Sequence, residues 1–162
     1  MKMTSIFAAA SLAALLVGAA VPALAADEFN IAPGLSAAGK PVGMHGSDPV
    51  ALVTTSRSVT GSATNTVIHE GIAYYFSNAE NANTFKASPA RYLPQNNGFC
   101  TFGVSVGKKF DGDPRYSAVV DGKLYVFLNE EIYNNFLKDR AGTISKAAAN
   151  WPRIMHTAAT AL

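Results

Sequence analysis

The chain has one cysteine and little excess charge of either sign, and each of these features excludes a class of protein. A single cysteine cannot form an intramolecular disulfide, so stability must come from an apolar core. The 13 basic and 11 acidic residues give a formal net charge of +2. Proteins that bind nucleic acid carry a strong basic patch or stripe, and none is evident in this sequence. We therefore expect no nucleic-acid partner.

The first 25 residues have the pattern of a secretory signal. Lys2 precedes an uncharged apolar run from Ile6 to Val21, and Pro22 is followed by Ala23-Leu24-Ala25. A basic start, a short apolar stretch and small residues at its end are the features that a signal peptidase recognises. The segment is short and lacks a charged stop-transfer flank, which argues against a membrane anchor. We predict cleavage near Ala25, a periplasmic or secreted product, and no stable membrane insertion afterwards.

Composition divides the rest of the chain into three parts. Residues 26–44 are rich in glycine and proline, which predicts an extended lead-in with little regular structure. Residues 45–155 are long enough for one domain with its own core. Residues 156–162 are expected to form a frayed C-terminal tail.

Two segments of this domain match each other at a constant distance along the chain. Residues 71–85 and 122–136 share seven identities, each pair 51 positions apart. The pairs are Gly71/Gly122, Tyr74/Tyr125, Phe76/Phe127, Asn78/Asn129, Glu80/Glu131, Asn83/Asn134 and Phe85/Phe136. Ungapped identity of this kind predicts an internal duplication, although hairpin-to-helix units can also converge on similar patterns.

Each matching segment has the pattern of a β-hairpin followed by a helix. Asp121-Gly122 is a strong hairpin signal because both residues accept a positive φ, and Glu70-Gly71 takes the equivalent place. Ser77 and Glu80 fit the capping box of the first helix, and Pro89 is expected to end that helix.

A further helix is predicted near the C-terminus. It would begin at Thr143, continue through an alanine-rich stretch to Asn150, and stop at Pro152. The fold class is therefore α+β, with small antiparallel hairpins each followed by a helix, an internal duplication and a C-terminal helix.

Three stretches of the chain carry a family resemblance. The first is Gly46-Ser47-Asp48-Pro49-Val50-Ala51, and the second is 75–95, which opens with Tyr-Phe-Ser-Asn-Ala-Glu-Asn. The third runs from Gly98-Phe99-Cys100 through Lys123-Leu124-Tyr125 to Asn150-Trp151-Pro152. Together they resemble the YHS domain family, specifically its exported single-domain branch. The family is similar to TRASH-like metal-binding modules found beside copper-transporting ATPases, so the resemblance implies a transition-metal role.

The resemblance also implies where metal ligands would lie. Metal-binding relatives place one cysteine near the start of the domain and two around the aromatic strand-to-helix junction. This chain has Ser77 and Asn81 at the junction and Ser47-Asp48 in its early block. Soft metals such as copper prefer thiolate, thioether and imidazole ligands to hydroxyl and amide oxygens. The ligand set of the metal-binding relatives is therefore absent from this sequence.

Cys100 is the first candidate for a functional side chain. Its thiol would suit a soft-metal ligand, a redox group or a nucleophile, whereas its place between Phe99 and Phe102 also fits simple packing. Met44 and His45 offer a thioether and an imidazole, and with Cys100 they would form a copper site. Met44 and His45 can face one ion only if the chain turns there; otherwise they lie in an exposed loop.

The remaining polar groups are assigned no site. Asp111-Gly112-Asp113 lacks the further oxygen ligands of a calcium loop. Lys108-Lys109 would hold an anion or, as we expect, lie in a solvated loop. His69 is predicted to be exposed in a hairpin turn, and His156 belongs to the tail.

These observations favour an exported, non-enzymatic YHS-type binding protein that handles a soft transition metal such as copper through Cys100, Met44 and His45. One alternative is a metal-free interaction or structural module that binds a protein partner. The other is a thiol-dependent redox protein or enzyme that uses Cys100.

Overall fold

The computed structural model describes residues 27–162, so the predicted signal segment, 1–25, lies outside the described residues. Within residues 27–162, none of the helices is both long and apolar enough to cross a membrane. Strands and helices alternate along the chain, and the α+β fold class is confirmed. The elements are β1 (Ile31–Leu35), β2 (Pro41–Gly43), α1 (Pro49–Thr55), β3 (Ser62–His69), β4 (Ile72–Phe76), α2 (Ala79–Ala87), α3 (Pro89–Tyr92), α4 (Thr101–Ser105), β5 (Asp113–Val120), β6 (Lys123–Phe127), α5 (Glu130–Lys138) and α6 (Arg140–Ile154).

The strands form two small sheets. One has four strands in the order β1-β2-β4-β3, and the other is the hairpin β5-β6. The pairs β1-β2, β3-β4 and β5-β6 are antiparallel, as expected, but β2 pairs with β4 in parallel through Val42 and Ala73. The expectation of little regular structure in residues 26–44 is therefore wrong. Val42 and Gly43 are buried, so this short strand joins the sheet despite its glycine and proline neighbours.

The elements repeat along the chain with the spacing that the sequence identities predict. The hairpin β3-β4 with α2 and the hairpin β5-β6 with α5 begin and end at residues that are 51 positions apart. Both hairpins turn through two residues with positive φ, 48° and 81° at Glu70-Gly71 and 51° and 72° at Asp121-Gly122. This is the geometry of a type I′ turn, whose twist matches that of the flanking strands.

The repeat also extends toward the N-terminus, beyond the identities in the sequence. Residues 44–46 have φ of 54°, 48° and 75°, and residues 96–98 have φ of 55°, 51° and 82°. Each left-handed turn is followed by a short helix, whose N-cap is Asp48 in α1 and Cys100 in α4. We call residues 44–92 the first unit and residues 96–154 the second unit.

Two helix boundaries differ from the sequence-based expectation. The N-cap of α2 is Asn78, whose side chain accepts from the Asn81 backbone N–H at 2.8 Å, because the Ser77 hydroxyl is used elsewhere. The C-terminal helix α6 begins earlier, at Arg140, and continues past Pro152 to Ile154. Proline removes only one backbone donor there, and the Met155 N–H still bonds to the Trp151 carbonyl at 2.8 Å.

The core repeats the same aromatic contact in both units. Phe76 and Phe85 lie with ring centroids 5.1 Å apart, and their counterparts Phe127 and Phe136 stack at 4.3 Å. All four side chains are fully buried. Each hairpin is therefore fixed to its following helix by one aromatic pair, and this positions the strand-to-helix junctions.

Candidate functional site

The carboxylate of Asp48 lies fully buried at the junction between α1, β4 and α2. Its Oδ1 accepts from the backbone N–H groups of Val50 and Ala51, at 2.9 and 3.0 Å, and so caps α1. Its Oδ2 accepts from the Ser77 N–H at 2.8 Å, the Ser77 hydroxyl at 2.7 Å and the Asn81 amide at 2.7 Å. Five donors therefore surround one carboxylate, and we call Asp48, Ser77 and Asn81 the polar cluster.

Electrostatics in the polar cluster keep Asp48 charged. Burial alone raises the pKa of this carboxyl, but hydrogen bonds from Asn81, Ser77 and Ala51 outweigh that effect and hold its pKa below the usual value. A carboxylate that accepts several backbone and amide donors is stabilised in its ionised form. Asp48 is thus a buried anion whose neighbours already satisfy both of its oxygens.

The polar cluster lies at the positions where the family resemblance would place metal ligands. Ser77 and Asn81 stand at the strand-to-helix junction, and Asp48 stands in the early block. The structure brings all three side chains within hydrogen-bonding distance of one another. The N-cap role of Asp48 is not among the predictions made from the sequence, and its partners lie 29 and 33 residues away along the chain.

Cys100 occupies the place in the second unit that Asp48 has in the first. It is the N-cap residue of α4, and it is 1 % exposed. The residues 51 positions after Ser77 and Asn81 are Leu128 and Ile132, and both pack in the apolar cluster that contains Cys100. The second unit therefore has a thiol among apolar side chains where the first unit has a carboxylate among donors.

This apolar setting determines the chemistry of the thiol. Burial raises the pKa of Cys100, and the nearby charge of Asp111 acts in the same direction. The backbone amides of Gly103, Leu128 and Phe102 lower its pKa, but by less than burial raises it. A buried thiol with a raised pKa is a poor nucleophile and a poor redox group at neutral pH.

Met44 and His45 lie in the left-handed turn of the first unit and point in different directions. Met44 is buried in the apolar cluster formed by Tyr74 and Phe76, which is not the cluster that contains Cys100. The His45 side chain is 31 % exposed, and its Nε2 lies 2.9 Å from Oδ1 of Asp111. The turn that both ligands would need is present, but it directs the thioether into the core and the imidazole toward solvent.

Within residues 27–162, no group of three or more histidine, cysteine, aspartate and glutamate side chains is arranged to hold a metal ion. Asp111 pairs with His45 and Asp113 pairs with Arg115. His69 is half-buried rather than exposed, because its ring packs edge-on against Phe85 at 5.9 Å.

Lys109 does not lie in a solvated loop, and this expectation is wrong. Its side chain is fully buried beside Phe99 and Trp151. The ammonium donates to the carbonyls of Met155 and Thr157, at 2.9 and 2.7 Å, and to the Glu28 carboxylate at 3.3 Å. The C-terminal residues are therefore tied to the start of the described chain instead of fraying.

A cleft of about 450 Å³ opens between residues 94–97, β6 and α6. On the α6 side the cleft is lined by Trp151 and by smaller apolar side chains. On the β6 side it is lined by Lys123 and Tyr125, which share one face of the strand. The lining residues are Pro94, Gln95, Asn96, Asn97, Lys123, Tyr125, Ile144, Ala147, Ala148, Trp151 and Pro152. Sequence reasoning noticed Pro94-Gln95, Lys123-Leu124-Tyr125 and Asn150-Trp151-Pro152 only as separate motifs.

Comparison of the chain with protein-family models, curated proteins and solved structures finds no match.

Proposed function

We propose that the chain is an exported, non-enzymatic binding module of YHS type that works without the thiolate metal site of its metal-binding relatives. The observation that carries the proposal is the polar cluster. Both oxygens of Asp48 are already occupied by donors, and Ser77 and Asn81 supply three of the five. A metal ion at this position would have to displace hydrogen bonds that stabilise a buried charge.

The soft ligands of the chain support the same proposal, because they do not share a site. Cys100 and Met44 are each buried in a different apolar cluster, and His45 is paired with Asp111. A Cu(I) site needs two or more soft ligands around one ion. Bringing these three together would require the core to open, and this favours the metal-free alternative over copper handling.

The surroundings of Cys100 argue for a binding role over thiol chemistry. A catalytic or redox thiol needs a neighbouring base or cation that lowers its pKa. The groups that shift the pKa of Cys100 are its buried surroundings, three backbone amides and the carboxylate of Asp111, and both the burial and the carboxylate raise that pKa. Export remains part of the proposal and rests on the signal pattern of residues 1–25.

A competition titration with Cu(I) tests the proposal directly. The reduced mature protein and its Cys100→Ser variant are titrated with Cu(I) in the presence of a chelating indicator. We expect the Cu(I) to stay on the indicator in the presence of either protein, so that the two titration curves are the same. One-to-one transfer of Cu(I) to the wild type that is lost in Cys100→Ser would overturn the metal-free function.

Export is tested by a separate measurement on the same chain. The full-length protein is expressed in a Gram-negative host with an affinity tag at its C-terminus, and the N-terminus of the purified product is determined by mass spectrometry. We expect a periplasmic product that begins at Ala26. A cytoplasmic product that retains Lys2 would contradict export and leave the metal question unaffected.

A further inference from the structure

The cleft between residues 94–97, β6 and α6 has the size and chemistry of a small-molecule site. Its volume of about 450 Å³ lies within the range of roughly 300–1,000 Å³ that ligand pockets occupy. Ile144, Ala147, Ala148 and Trp151 lie on one face of α6, because they follow the spacing of three and four residues that a helix presents together. Two alanines beside a tryptophan leave room next to a flat aromatic surface.

Polar groups on the opposite side of the cleft are free to meet a ligand. Tyr125 is only 7 % exposed, yet none of the hydrogen bonds among residues 27–162 uses its hydroxyl. Every fully buried side-chain nitrogen and oxygen atom in that range has a partner, so the Tyr125 hydroxyl keeps some exposure to solvent, and Tyr125 lines the cleft. The Gln95 side chain lines the same space and likewise makes no hydrogen bond to the described residues. A pocket with an apolar wall and a few convergent polar groups is typical of ligand sites.

Charge determines the class of ligand. Lys123 is the only charged residue among those that line the cleft. A ligand that fills the space therefore meets one cation, one phenol and the three amides of Gln95, Asn96 and Asn97, and the lining residues include no carboxylate. The charge of Asp121, which does not line the cleft, also acts on the phenol. The phenol remains protonated, since burial raises the pKa of Tyr125 and the charge of Asp121 adds to that effect. Such donors suit an acceptor with negative charge.

We propose that this cleft binds a small organic carboxylate with a planar or apolar body. The body lies against Trp151 and the two alanines of α6, and the carboxylate accepts from Lys123, Tyr125 and Gln95. This inference rests on the proposed binding function and specifies its ligand class. Asn96 and Asn97, whose backbone is left-handed, also line the site.

Protein-observed NMR with matched pairs of probes tests the inference. The probes are benzoate, phenylacetate and cinnamate, each compared with its neutral primary amide. We expect the carboxylates to shift the indole N–H of Trp151, the only tryptophan, and the side-chain amide of Gln95. We expect the amides to shift them much less. Methyl glucoside serves as a neutral polar probe, and preferential binding of it would overturn the carboxylate class.

Three variants assign the binding to this cleft. Lys123→Gln should weaken carboxylate binding about fivefold, the effect of one exposed charged hydrogen bond, whereas Lys146→Gln on the same protein should not. Tyr125→Phe should weaken it by a similar factor, since one neutral hydrogen bond contributes roughly 1 kcal/mol. Ala148→Phe should abolish binding by filling the cleft, whereas Ala149→Phe, one residue further along α6, should leave it intact.

The outcomes separate this inference from the proposed function. Equal binding of carboxylates and amides, or no effect of Lys123→Gln, would overturn the anionic class. No binding of any probe at millimolar concentration would overturn the site. Neither result would alter the conclusion drawn from the Cu(I) titration. Equally, Cu(I) binding through Cys100 would not alter the conclusion about ligand binding in the cleft.

Discussion

Asp48→Asn is the substitution that tests most directly how the polar cluster holds the first unit together. Asparagine has nearly the same shape, but one carboxylate oxygen becomes an NH₂ group. If that group takes the place of Oδ2, it faces the Ser77 N–H and the Asn81 amide as a third donor. If it takes the place of Oδ1, it faces the Val50 and Ala51 N–H groups instead. Two donors lose their acceptor in either orientation: two part-buried donors in the first case and two buried backbone donors in the second.

The size of the effect follows from that count. A buried donor without a partner costs about 1–3 kcal/mol, so two of them give an expected loss of about 3 kcal/mol in the free energy of unfolding. The free energy of unfolding of a domain this size is about 5–15 kcal/mol, so the variant should still fold. Chemical denaturation followed by circular dichroism measures the loss as a lower midpoint with an unchanged slope.

Asp139→Asn provides the matched control. Asp139 is also an N-cap, but it is exposed and accepts a single hydrogen bond, from the Gly142 N–H at 2.9 Å. Its amide analogue retains an oxygen that can accept this bond, so we expect a loss below about 0.5 kcal/mol. A loss below about 1 kcal/mol for Asp48→Asn would refute the reasoning, because it would mean that the donors find other partners.

The same substitution predicts a dependence on pH. The pKa of Asp48 is lower in the folded protein than in the unfolded chain, where it is about 3.9. Its charge therefore contributes stability fully above the unfolded pKa, and that contribution is lost as the pH falls through the folded pKa. The difference in stability between wild type and Asp48→Asn should thus be constant at neutral pH and should narrow below about pH 4. Asp113, whose pKa is also lowered, is common to both proteins and cancels from the difference.

Three further predictions follow from the same contacts. Replacing Asp48, Ser77 and Asn81 together by cysteine should create one-to-one Cu(I) binding, because these side chains already lie within hydrogen-bonding distance of one another. A variant with cysteines at 54, 55 and 58 is the control. If the first variant binds no more Cu(I) than the control, the three positions do not form a shared site. Lys109→Met should lower the free energy of unfolding by about 2–3 kcal/mol and speed hydrogen exchange at the Ala159 amide. The same substitution at the exposed Lys108 should change neither quantity. Unchanged exchange in Lys109→Met would show that Lys109 does not hold the C-terminal residues. Iodoacetamide should alkylate Cys100 at least about 10³-fold more slowly in the folded protein than in urea, and rapid, pH-dependent alkylation would instead favour a reactive thiol.

Local patterns in the sequence were enough to predict the hairpin-to-helix units. Asp121-Gly122 specifies a type I′ turn by itself, and the 51-residue spacing of identical residues marks the second unit. The upstream part of the repeat could not be found in this way. Residues 44–46 and 96–98 share left-handed backbone and a final glycine, but Met44 and His45 have no chemical likeness to Asn96 and Asn97.

Long-range partners account for the rest of what the sequence could not reveal. Asp48 caps α1, and nothing local in the sequence shows that its second oxygen meets Ser77, just after β4, and Asn81 of α2. Lys109 follows another lysine in a glycine-rich stretch, which favours an exposed loop. It is buried because Met155, Thr157 and Glu28, all remote along the chain, converge to accept its three hydrogen bonds.

The two units have diverged in complementary ways, and this bears on where binding can occur. In the first unit the junction is polar and closed, since Asp48 is satisfied by its neighbours and Met44 fills the core. In the second unit the junction is apolar around Cys100, and the left-handed turn carries Asn96 and Asn97 toward the cleft. Tyr125, whose counterpart Tyr74 packs against Phe85 in the first unit, lines that cleft instead. The longer helix α6 brings Trp151 to the same space, whereas its counterpart α3 ends after four residues. The strand-to-helix junction of the first unit is thus closed around Asp48, whereas the second unit contributes β6, its left-handed turn and α6 to the cleft.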